Sequence, residues 1–410
     1  MRLLLIANDF PHPFDPNKGI FNLNLAKALN PEHEMRVICP IPWVDEWRAR
    51  RRNVPALAGN RRAVLQGIEV HYPRYYYPPK LWRSSYGWFY WQNVRPTITS
   101  VLKTYTPHAV LGYWAHPDGQ AAVKAARLAN VPSAVIVGGS DVLLTARDPR
   151  RRQCIASVLA AADAVVTVSQ QLKDKTIDLG IPPEKIHVWS QGVDAEKFRP
   201  GDRGDARRRL NIPPDCRAVV WVGRLVPVKA LDVLLNAGAI LHRRQIEFRL
   251  YLVGGGPLRH SLETLAASLG LTDLIWFVGE RSYEQLPDWY RAANLVVLPS
   301  WSEGLPNVLR EAVACNVPFV ATRVGGIAEI ARDECDRLVP PGDPAALADA
   351  IAAGLTDAGS TVPPDRRVPD WTESAHALVN ILQPLLAAST PNSPSPHNVP
   401  HLIASTGQTQ

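Results

Sequence analysis

The 410-residue sequence has few cysteines and no long apolar run, and each absence excludes a class of protein. The cysteines are scattered and form no C-x-x-C pair, so we interpret them as reduced thiols of a cytoplasmic protein, not as a disulfide framework or a zinc site. They are Cys39, Cys154, Cys216, Cys315 and Cys335. The apolar run Leu3–Ala7 ends at Asn8-Asp9, too early for a signal peptide or a membrane span, and predicts a buried first strand.

Composition predicts a globular chain and allows an anionic partner. Hydrophobic residues make up 46% of the chain, which is ample for packed cores, and charged residues make up 20%. The formal net charge of +7 allows an anionic substrate, an acidic membrane surface or nucleic acid. No RNA- or DNA-binding motif accompanies the charge, so we expect no nucleic acid partner. The length suggests two ordinary domains or three small ones.

Strand and helix patterns alternate along the chain and restart once near residue 201. They predict an α/β fold of two Rossmann-like, doubly wound parallel-sheet domains that face a central cleft. The first domain is expected at 1–200 and the second at 201–368, with the charged stretch Gly201–Arg209 as a candidate linker. The tail at 388–410 is rich in Ser, Thr, Pro and Asn, which predicts disorder.

The stretch Leu295–Thr322 carries the strongest chemical signal. It predicts a buried strand, a loop and then a helix, with Glu303 just before the helix and Glu311 inside it. A carboxylate repels phosphate but accepts hydrogen bonds from hydroxyls, whereas the helix N-terminus offers free N–H groups to an anion. A sugar nucleotide meets both demands. The alternative is a solvated acidic helix end, which the helix dipole favours.

Two further loops of the second domain follow predicted strands. Arg224 and Lys229 lie on the loop after Ala218–Val222, where two cations could offset the charge of a diphosphate or could simply be surface cations. The triple glycine around Gly255 allows a ligand to approach the backbone closely, or forms a plain tight turn. It is not a dinucleotide fingerprint, because G-x-G-x-x-G is incomplete.

The first domain offers three candidates at the ends of its predicted strands. Gly19 stands where a loop meets the first helix, which allows a diphosphate close to the backbone or marks an ordinary helix start. His116 follows the strand Ala109–Tyr113 and could bind a sugar hydroxyl, cap a helix or pack in the core. Asp141, after Gly138-Gly139, could face the cleft or cap the next helix.

Several of these segments resemble the retaining glycosyltransferases of family 4 (glycosyltransferase group 1), which have the GT-B fold. Glu303–Glu311 is similar to their E-x7-E motif, and Gly223–Lys229 to their G-R-x4-K loop, although Ala230 replaces the usual glycine. Gln191–Pro200 resembles their N-G-V-D-x3-F-x-P segment, with Gln in place of Asn. The resemblance covers roughly 1–386 and includes a last helix at 369–387 that crosses back to the first domain.

The resemblance implies transfer of a sugar from a nucleotide-diphosphate sugar to a hydroxyl acceptor, with retention of configuration. His116, Glu303, Arg224 and Lys229 are the expected catalytic residues, and the departing phosphate is thought to take the acceptor's proton. The sequence contains no Asp-x-Asp pair, so we expect no metal and no cofactor beyond the nucleotide-sugar. The implied donor-binding residues are Gly19, Asp141, Arg224, Lys229, Gly255, Glu303, Gly304, Leu305, Asn307, Val308 and Glu311.

The sequence leaves the nucleoside base, the sugar, the acceptor and the oligomeric state open. The basic and aromatic region at 48–91 suits a lipid-linked or polysaccharide precursor at the inner face of a membrane, through peripheral contact. A solvated charge run beside a packed aromatic helix explains it equally well. Its members include Arg48, Arg50, Arg51, Arg52, Tyr76, Trp82 and Trp88. A sugar-nucleotide epimerase of the same fold and a non-catalytic nucleotide-binding module remain alternative functions.

Overall fold

The computed structural model describes residues 1–51, 53, 54, 57, 59–78, 85–356 and 367–389. Arg52 and Trp82 of the basic and aromatic region lie outside these residues, as does the predicted disordered tail from residue 390 onward.

An eight-stranded sheet forms the centre of the first domain. Its strands, and a small separate pair (β3 and β6), are β1 Arg2–Ile6, β2 Glu34–Ile38, β3 Ile41–Pro42, β4 Arg62–Leu65, β5 Ile68–His71, β6 Arg74–Tyr75, β7 Ala109–Tyr113, β8 Ser133–Val137, β9 Ala164–Thr167 and β10 Ile186–Val188. The order is β10-β9-β8-β7-β1-β2-β5-β4, and every pairing is parallel except β4 with β5. The helices are α1 Ile20–Leu29, α2 Trp43–Arg51, α3 Tyr86–Thr104, α4 Gln120–Ala129, α5 Ser140–Leu143, α6 Pro149–Ala161 and α7 Gln170–Ile177.

The second domain repeats this plan with a six-stranded sheet. Its strands are β11 Ala218–Val222, β12 Arg249–Val253, β13 Ile275–Gly279, β14 Leu295–Leu298, β15 Phe319–Thr322 and β16 Arg337–Val339. They pair in parallel in the order β13-β12-β11-β14-β15-β16. The helices are α8 Arg203–Leu210, α9 Leu231–Arg243, α10 Arg259–Ser268, α11 Leu286–Ala292, α12 Asn307–Ala314, α13 Ile327–Ile330 and α14 Pro344–Thr356.

The central strands explain why the sequence predicted this architecture correctly. All residues of β7, β8, β11 and β14 are buried, as expected for parallel strands covered on both faces. In the first domain Leu3 of β1 lies opposite Met35 of β2 and Ala109 of β7. Because parallel strands end at one edge, the loops after β1, β7 and β8 meet there. The predicted fold of two doubly wound domains is confirmed.

The last helix, α15 Trp371–Ser389, returns to the first domain. Trp189 donates its indole Nε1–H to the carbonyl oxygen of Ser374 at 2.8 Å, and the Ser374 hydroxyl donates to Ser190 O at 2.8 Å. Leu378 is fully buried in the apolar core of the first domain. The chain therefore crosses between the domains twice, near Val193 and near Pro369, where Val193 N–H donates to Pro369 O at 3.0 Å.

One expectation from the sequence was wrong. The stretch predicted as a linker, Gly201–Arg209, contains most of helix α8. Asp202 caps the helix by accepting from Asp205 N–H at 2.7 Å. The buried Arg207 guanidinium donates from Nε to Ala292 O at 3.0 Å, and Arg209 forms an ion pair with Asp288 at 2.7 Å. The arginines of α8 therefore hold this helix against the second domain, whereas the sequence pattern had resembled a run of solvent-exposed charges.

The aromatic region divides between core and surface. Tyr90 of α3 is fully buried, whereas the side chains of Trp47, Tyr76 and Trp88 are 47%, 50% and 56% exposed. Across the described ranges, no helix is both long enough and apolar enough to span a membrane.

Candidate functional site

A cleft of about 230 Å³ lies between the two domains. The start of α1 forms one wall, and the start of α12 with the turn around Tyr283 forms the other. Asn24 of the first domain donates to the hydroxyl of Tyr283 at 3.2 Å, which joins the walls. The main lining residues are Asn17, Gly19, Phe21, Asn24, Arg281, Tyr283, Asn307 and Glu311.

Glu311 lines this cleft from the second turn of α12. It is buried, and one of its oxygens accepts from the Tyr290 hydroxyl at 2.6 Å. Burial raises the pKa of Glu311 to about 7, although Tyr290 and Arg310 oppose that shift. Near neutral pH the carboxyl group is therefore divided between an acceptor-only form and a form that can donate a proton.

Glu303 and Lys229 form an ion pair in the second domain. Lys229 Nζ lies 2.6 Å from Glu303 Oε1, and the side chains are only 21% and 11% exposed. Lys229 ends a short turn after β11, which is tied to the β14 loop because Trp301 N–H donates to Val228 O at 2.8 Å. The pair brings together two of the residues that the sequence singled out.

Backbone packing joins the Lys229 loop to the triple-glycine loop. Leu225 N–H donates to Gly255 O at 2.8 Å, so the G-R-x4-K loop and the triple-glycine loop lie against each other. Arg224 is exposed between them and forms no ion pair with any described residue. The residue after Lys229, Ala230, adopts φ 50° and ψ 42°, the left-handed conformation that glycine favours. The alanine therefore adopts a backbone conformation that glycine would take without strain.

Glycines carry the contact between the domains beside Glu303. A Cβ added to Gly139 would lie 2.6 Å from Gly304 Cα, and one added to Gly304 would lie 2.1 Å from Gly138 O. The first turn of α12 follows, with Leu305 half-buried and the N–H groups of Asn307 and Val308 free of helical acceptors. The predicted donor residues of this loop thus lie where the two domains touch.

His116 occupies the turn Ala115–Gly119 that follows β7. It is 8% exposed, and burial together with the charge of Arg151 lowers its pKa to about 4. The ring is therefore neutral at pH 7 and can exchange hydrogen bonds with a hydroxyl. Trp114, just before it, has φ 78°, a strained conformation for a bulky residue, and such strain is typical of functional sites.

Asp141 supports this turn from α5, the short helix after the neighbouring strand β8. Its carboxylate accepts from Ala115 N–H at 3.0 Å and from Gly139 N–H and Val142 N–H at 3.1 Å. The structure therefore places Asp141 as a positioning group for both loops, and its contact with the donor stays a prediction. Gly19, by contrast, lines the cleft at φ 60°, where a Cβ would lie 2.1 Å from Asp9 O.

Several residues of the site were not predicted from the sequence. Tyr290 donates to Glu311, and Tyr283 accepts from Asn24 of the opposite wall, but single tyrosines carry no distinctive sequence signal. Arg151 stands in the first turn of α6, and its Nε is buried with no hydrogen-bond partner among the described residues. The run Arg150–Arg152 was visible in the sequence, but only the fold brings Arg151 near His116.

Among the described residues, no three His, Cys, Asp or Glu side chains cluster in a way that could hold a metal ion.

Comparison with known families gives one match to each domain. A family model described as "Glycosyltransferase Family 4" matches residues 19–197, and one described as "Glycosyl transferases group 1" matches residues 216–357. Together the two models cover most of both domains.

Curated relatives share substantial identity with part of the chain. A D-inositol 3-phosphate glycosyltransferase of Catenulispora acidiphila is 39% identical over 259 residues, which is 60% of this chain and 58% of the relative. One of Acidothermus cellulolyticus is 40% identical over 244 residues, 57% of this chain and 53% of the relative. The chain thus spans little more than half the length of these relatives.

Solved structures share the fold at low identity. A sucrose-phosphate synthase of Thermosynechococcus elongatus aligns with a TM-score of 0.79 at 22% identity, over 94% of this chain and 99% of that chain. Anabaena HepE in complex with UDP-glucose aligns with a TM-score of 0.66 at 18% identity, over 95% and 97%. At these identities the likeness shows the two-domain architecture alone.

Proposed function

We propose, from the premise that this chain belongs to the family 4 (group 1) glycosyltransferases, that it transfers a sugar from a nucleotide-diphosphate donor to a hydroxyl acceptor and retains the anomeric configuration. The ion pair between Lys229 and Glu303 carries this proposal, because it sits beside Gly304 at the contact between the domains. A cation next to a carboxylate suits a ligand that joins a diphosphate to a sugar.

Each group then has one role. Arg224, Lys229 and the first turn of α12 stabilise the negative charge that grows on the departing diphosphate. Glu311 accepts hydrogen bonds from the ribose hydroxyls, Glu303 from those of the transferred sugar, and neutral His116 binds that sugar from the other domain. The bond between the anomeric carbon and the diphosphate oxygen breaks as the acceptor oxygen bonds on the same face. The acceptor's proton passes to the departing phosphate, so no protein base and no metal is required.

The acceptor is proposed to carry a phosphate. Arg151 supports this, because its partly buried guanidinium lies near His116 on the acceptor-side domain and its Nε has no partner. The relatives named D-inositol 3-phosphate glycosyltransferases indicate a phosphorylated polyol as the first candidate. A lipid-linked precursor of a cell-surface polysaccharide shares the same chemistry and is the second.

A pair of neighbouring arginines tests the acceptor. Arg151→Met should raise KM for a phosphorylated acceptor about tenfold or more, the cost of losing one charged hydrogen bond, and leave KM for the unphosphorylated compound unchanged. Arg152→Met is the control, since Arg152 instead donates to Asp178 O at 2.9 Å. Inositol phosphate and a polyprenyl-diphosphate sugar, assayed separately, distinguish the two sources. Equal effects of both variants would contradict the assignment.

The transfer itself is tested with a panel of nucleotide sugars, starting with UDP-sugars because HepE binds UDP-glucose. We expect nucleoside diphosphate release that depends on the acceptor, and a product whose anomeric configuration matches the donor by NMR. Interconversion of the donor sugar without an acceptor would indicate an epimerase. Binding of the nucleotide with no turnover for any acceptor would indicate a non-catalytic module.

We also propose a cytoplasmic enzyme that touches the inner membrane face through its first domain. Exposed Trp47, Tyr76 and Trp88 belong to the basic and aromatic region, and Arg51 stacks on Trp47 with its guanidinium carbon 3.8 Å from the ring centroid. Aromatic rings and cations together suit an anionic interface. The fraction of protein that sediments with vesicles containing anionic lipid should fall at least severalfold in the double variant Trp47→Ser, Trp88→Ser. Trp301→Ser is the control, since Trp301 is exposed on the second domain. Equal sedimentation of all three proteins would contradict membrane contact.

A further inference from the structure

A second cavity, of about 190 Å³, lies on the other side of α12 from the donor cleft. Both domains contribute to its walls, and so does the segment before α15 that crosses between them. Asn307 and Glu311 face the donor cleft, whereas Arg310, between them on the helix and turned to another side, faces this cavity. Its lining includes Val168, Ser190, Leu305, Arg310, Glu329 and Arg332.

Arg310 is the unusual member of this lining. Its side chain is 1% exposed, and its Nη2 atom is buried with no hydrogen-bond partner among the described residues. Nη1 reaches Asn307 Oδ1 only at 3.5 Å, the limit of a hydrogen bond, and no described carboxylate forms an ion pair with the guanidinium. Buried charges are ordinarily paired, because desolvating an isolated ion is costly. The charge of the neighbouring Glu311 attracts this guanidinium without forming an ion pair or hydrogen bond with it. A buried guanidinium that lacks a bonded partner beside a cavity indicates an anionic ligand.

The other charges of the cavity leave it positive. Arg332 and Arg367 also line it, and Arg367 pairs with Glu373 at 2.6 Å. The acidic Glu329 lines the same cavity, but its two oxygens accept from the backbone N–H groups of Gln170 and Gln171 at 3.0 and 3.2 Å. That carboxylate thus offsets the positive end of α7 and leaves Arg310 and Arg332 for a ligand.

We propose that this cavity is a second anion-binding site, which takes a single phosphoryl group on Arg310 with Arg332 at its rim. Arg310 would donate hydrogen bonds to the phosphate oxygens, the geometry for which a guanidinium is suited. Inorganic phosphate and a small phosphate monoester share this chemistry. Because the walls come from both domains, the bound anion would favour the domain arrangement seen here, and a ligand that prefers one arrangement shifts the population toward it.

Phosphate binding to the whole protein tests the proposal, measured by calorimetry and by the rise in thermal midpoint. Phosphate could also enter the donor cleft, so the double variant Arg224→Ala, Lys229→Met serves as the reference. We expect this variant to retain saturable phosphate binding and a rise in midpoint on the order of 1–3 °C at tenfold excess over Kd. Arg310→Met in the same background should lose both. Glycerol phosphate is tested in parallel to distinguish a phosphate monoester from inorganic phosphate as the ligand. Saturable binding of either one supports the site.

The Arg310→Met variant has its own check on folding. Since it removes an unpaired buried charge and keeps an unbranched apolar chain, we expect a thermal midpoint in phosphate-free buffer equal to or above that of its parent. Loss of phosphate binding with an intact midpoint supports the site. If Arg310→Met loses phosphate binding and its thermal midpoint also falls, Arg310→Lys is measured next. That variant keeps the charge and should restore weak phosphate binding. Phosphate binding that disappears in the donor-cleft variant, or persists unchanged in Arg310→Met, would overturn the proposal.

Discussion

The two domains contribute different chemical groups to the candidate site, of which Gly19 and Glu311 line the cleft itself. The second domain supplies ionisable groups, namely the Lys229–Glu303 pair, the exposed Arg224 and the buried Glu311. The first domain supplies the backbone at Gly19 and a histidine that burial keeps neutral. The buried Asp141 carboxylate, beside the glycine contact between the domains, accepts from three backbone N–H groups.

This difference indicates that the two domains bind different parts of the ligands. Charges in the second domain suit the anionic part of a donor, where electrostatic interactions between poorly solvated groups are strong. Neutral hydrogen-bonding groups in the first domain suit hydroxyls, which need orientation rather than charge compensation. Arg151 is the exception in the first domain, and we assign it to a phosphate on the acceptor. If this assignment is correct, substitutions in the second domain should act through charge, whereas the effect of replacing His116 in the first domain should not depend on pH.

The largest effect is expected for Lys229→Met. Loss of the cation removes stabilisation of the departing diphosphate and leaves Glu303, 11% exposed, without its partner. We expect the transfer rate to fall about 100- to 1000-fold, the range seen when one preorganised electrostatic group is removed. The measurement is steady-state transfer with saturating acceptor. Lys175→Met, which breaks a surface pair with Asp178, should change the rate less than twofold, and similar losses in both would break the comparison.

Glu311→Gln should give a smaller loss that depends on pH. The raised pKa, about 7, means that the ionised acceptor form appears as pH rises through neutrality, so donor affinity should rise between pH 6 and pH 8. The variant should bind the donor about 10- to 100-fold more weakly at pH 8, the value of a charged hydrogen bond, and show no such rise. Calorimetric titration with the nucleoside diphosphate at several pH values measures both.

The same shift predicts stability with a definite sign. The folded state holds the Glu311 proton more tightly than the unfolded state, whose pKa is near 4.5. Stability is therefore lost as pH rises from about 4.5 through about 7, by on the order of 3 kcal/mol for a fully buried group. Glu311→Gln removes this loss, so its thermal midpoint should gain on that of the native chain between pH 5 and pH 8. A midpoint difference that is constant with pH would contradict the assignment.

His116→Asn should reduce transfer about tenfold, the cost of one misplaced neutral hydrogen bond. Because the pKa of His116 is lowered to about 4, the ring stays neutral and the rate ratio to the native enzyme should be constant from pH 5.5 to pH 8. In the unfolded chain the ring protonates near 6.5, so its contribution to stability is lost as pH falls from there through about 4. A rate ratio that changes across neutral pH would mean that the first domain also acts through charge.

The sequence predicted the sheet centres and the loops that follow them well. Strands such as Ala109–Tyr113 and Ala218–Val222 are continuous apolar runs, and their carboxyl ends position His116 and Arg224 by topology alone. The apolar pattern could not show where polar groups find partners. It missed that α8 binds the second domain through Arg207, and that the Asp141 carboxylate also accepts from Ala115 N–H in the turn after β7. Both depend on contacts between residues far apart in sequence.

The sequence could not predict cavities between the domains either. Arg310 is buried at a cavity whose walls come from both domains. A charge beside Glu311 in sequence is normally solvated, and only the packed structure reveals that this one is not. The E-x7-E motif therefore located the helix correctly and gave no sign of what its other face does.

The smallest effect concerns the loop that presents Lys229. Ala230 adopts φ 50° and ψ 42°, where an L-residue with a Cβ is strained by roughly 1 kcal/mol, so Ala230→Gly should relieve strain. Glycine also gives the unfolded chain more freedom, which offsets part of that gain and leaves a rise in stability below about 1 kcal/mol. Asn211, at φ 55° and ψ 40°, is the matched control, since asparagine tolerates this region and Asn211→Gly should gain nothing. If thermal midpoints rise for Ala230→Gly alone while transfer stays unchanged, the alanine holds the cation-bearing loop in the glycine conformation at a cost in stability and none in function. If transfer falls, the side chain of Ala230 itself contributes to placing Lys229, and the second domain relies on packing as well as charge.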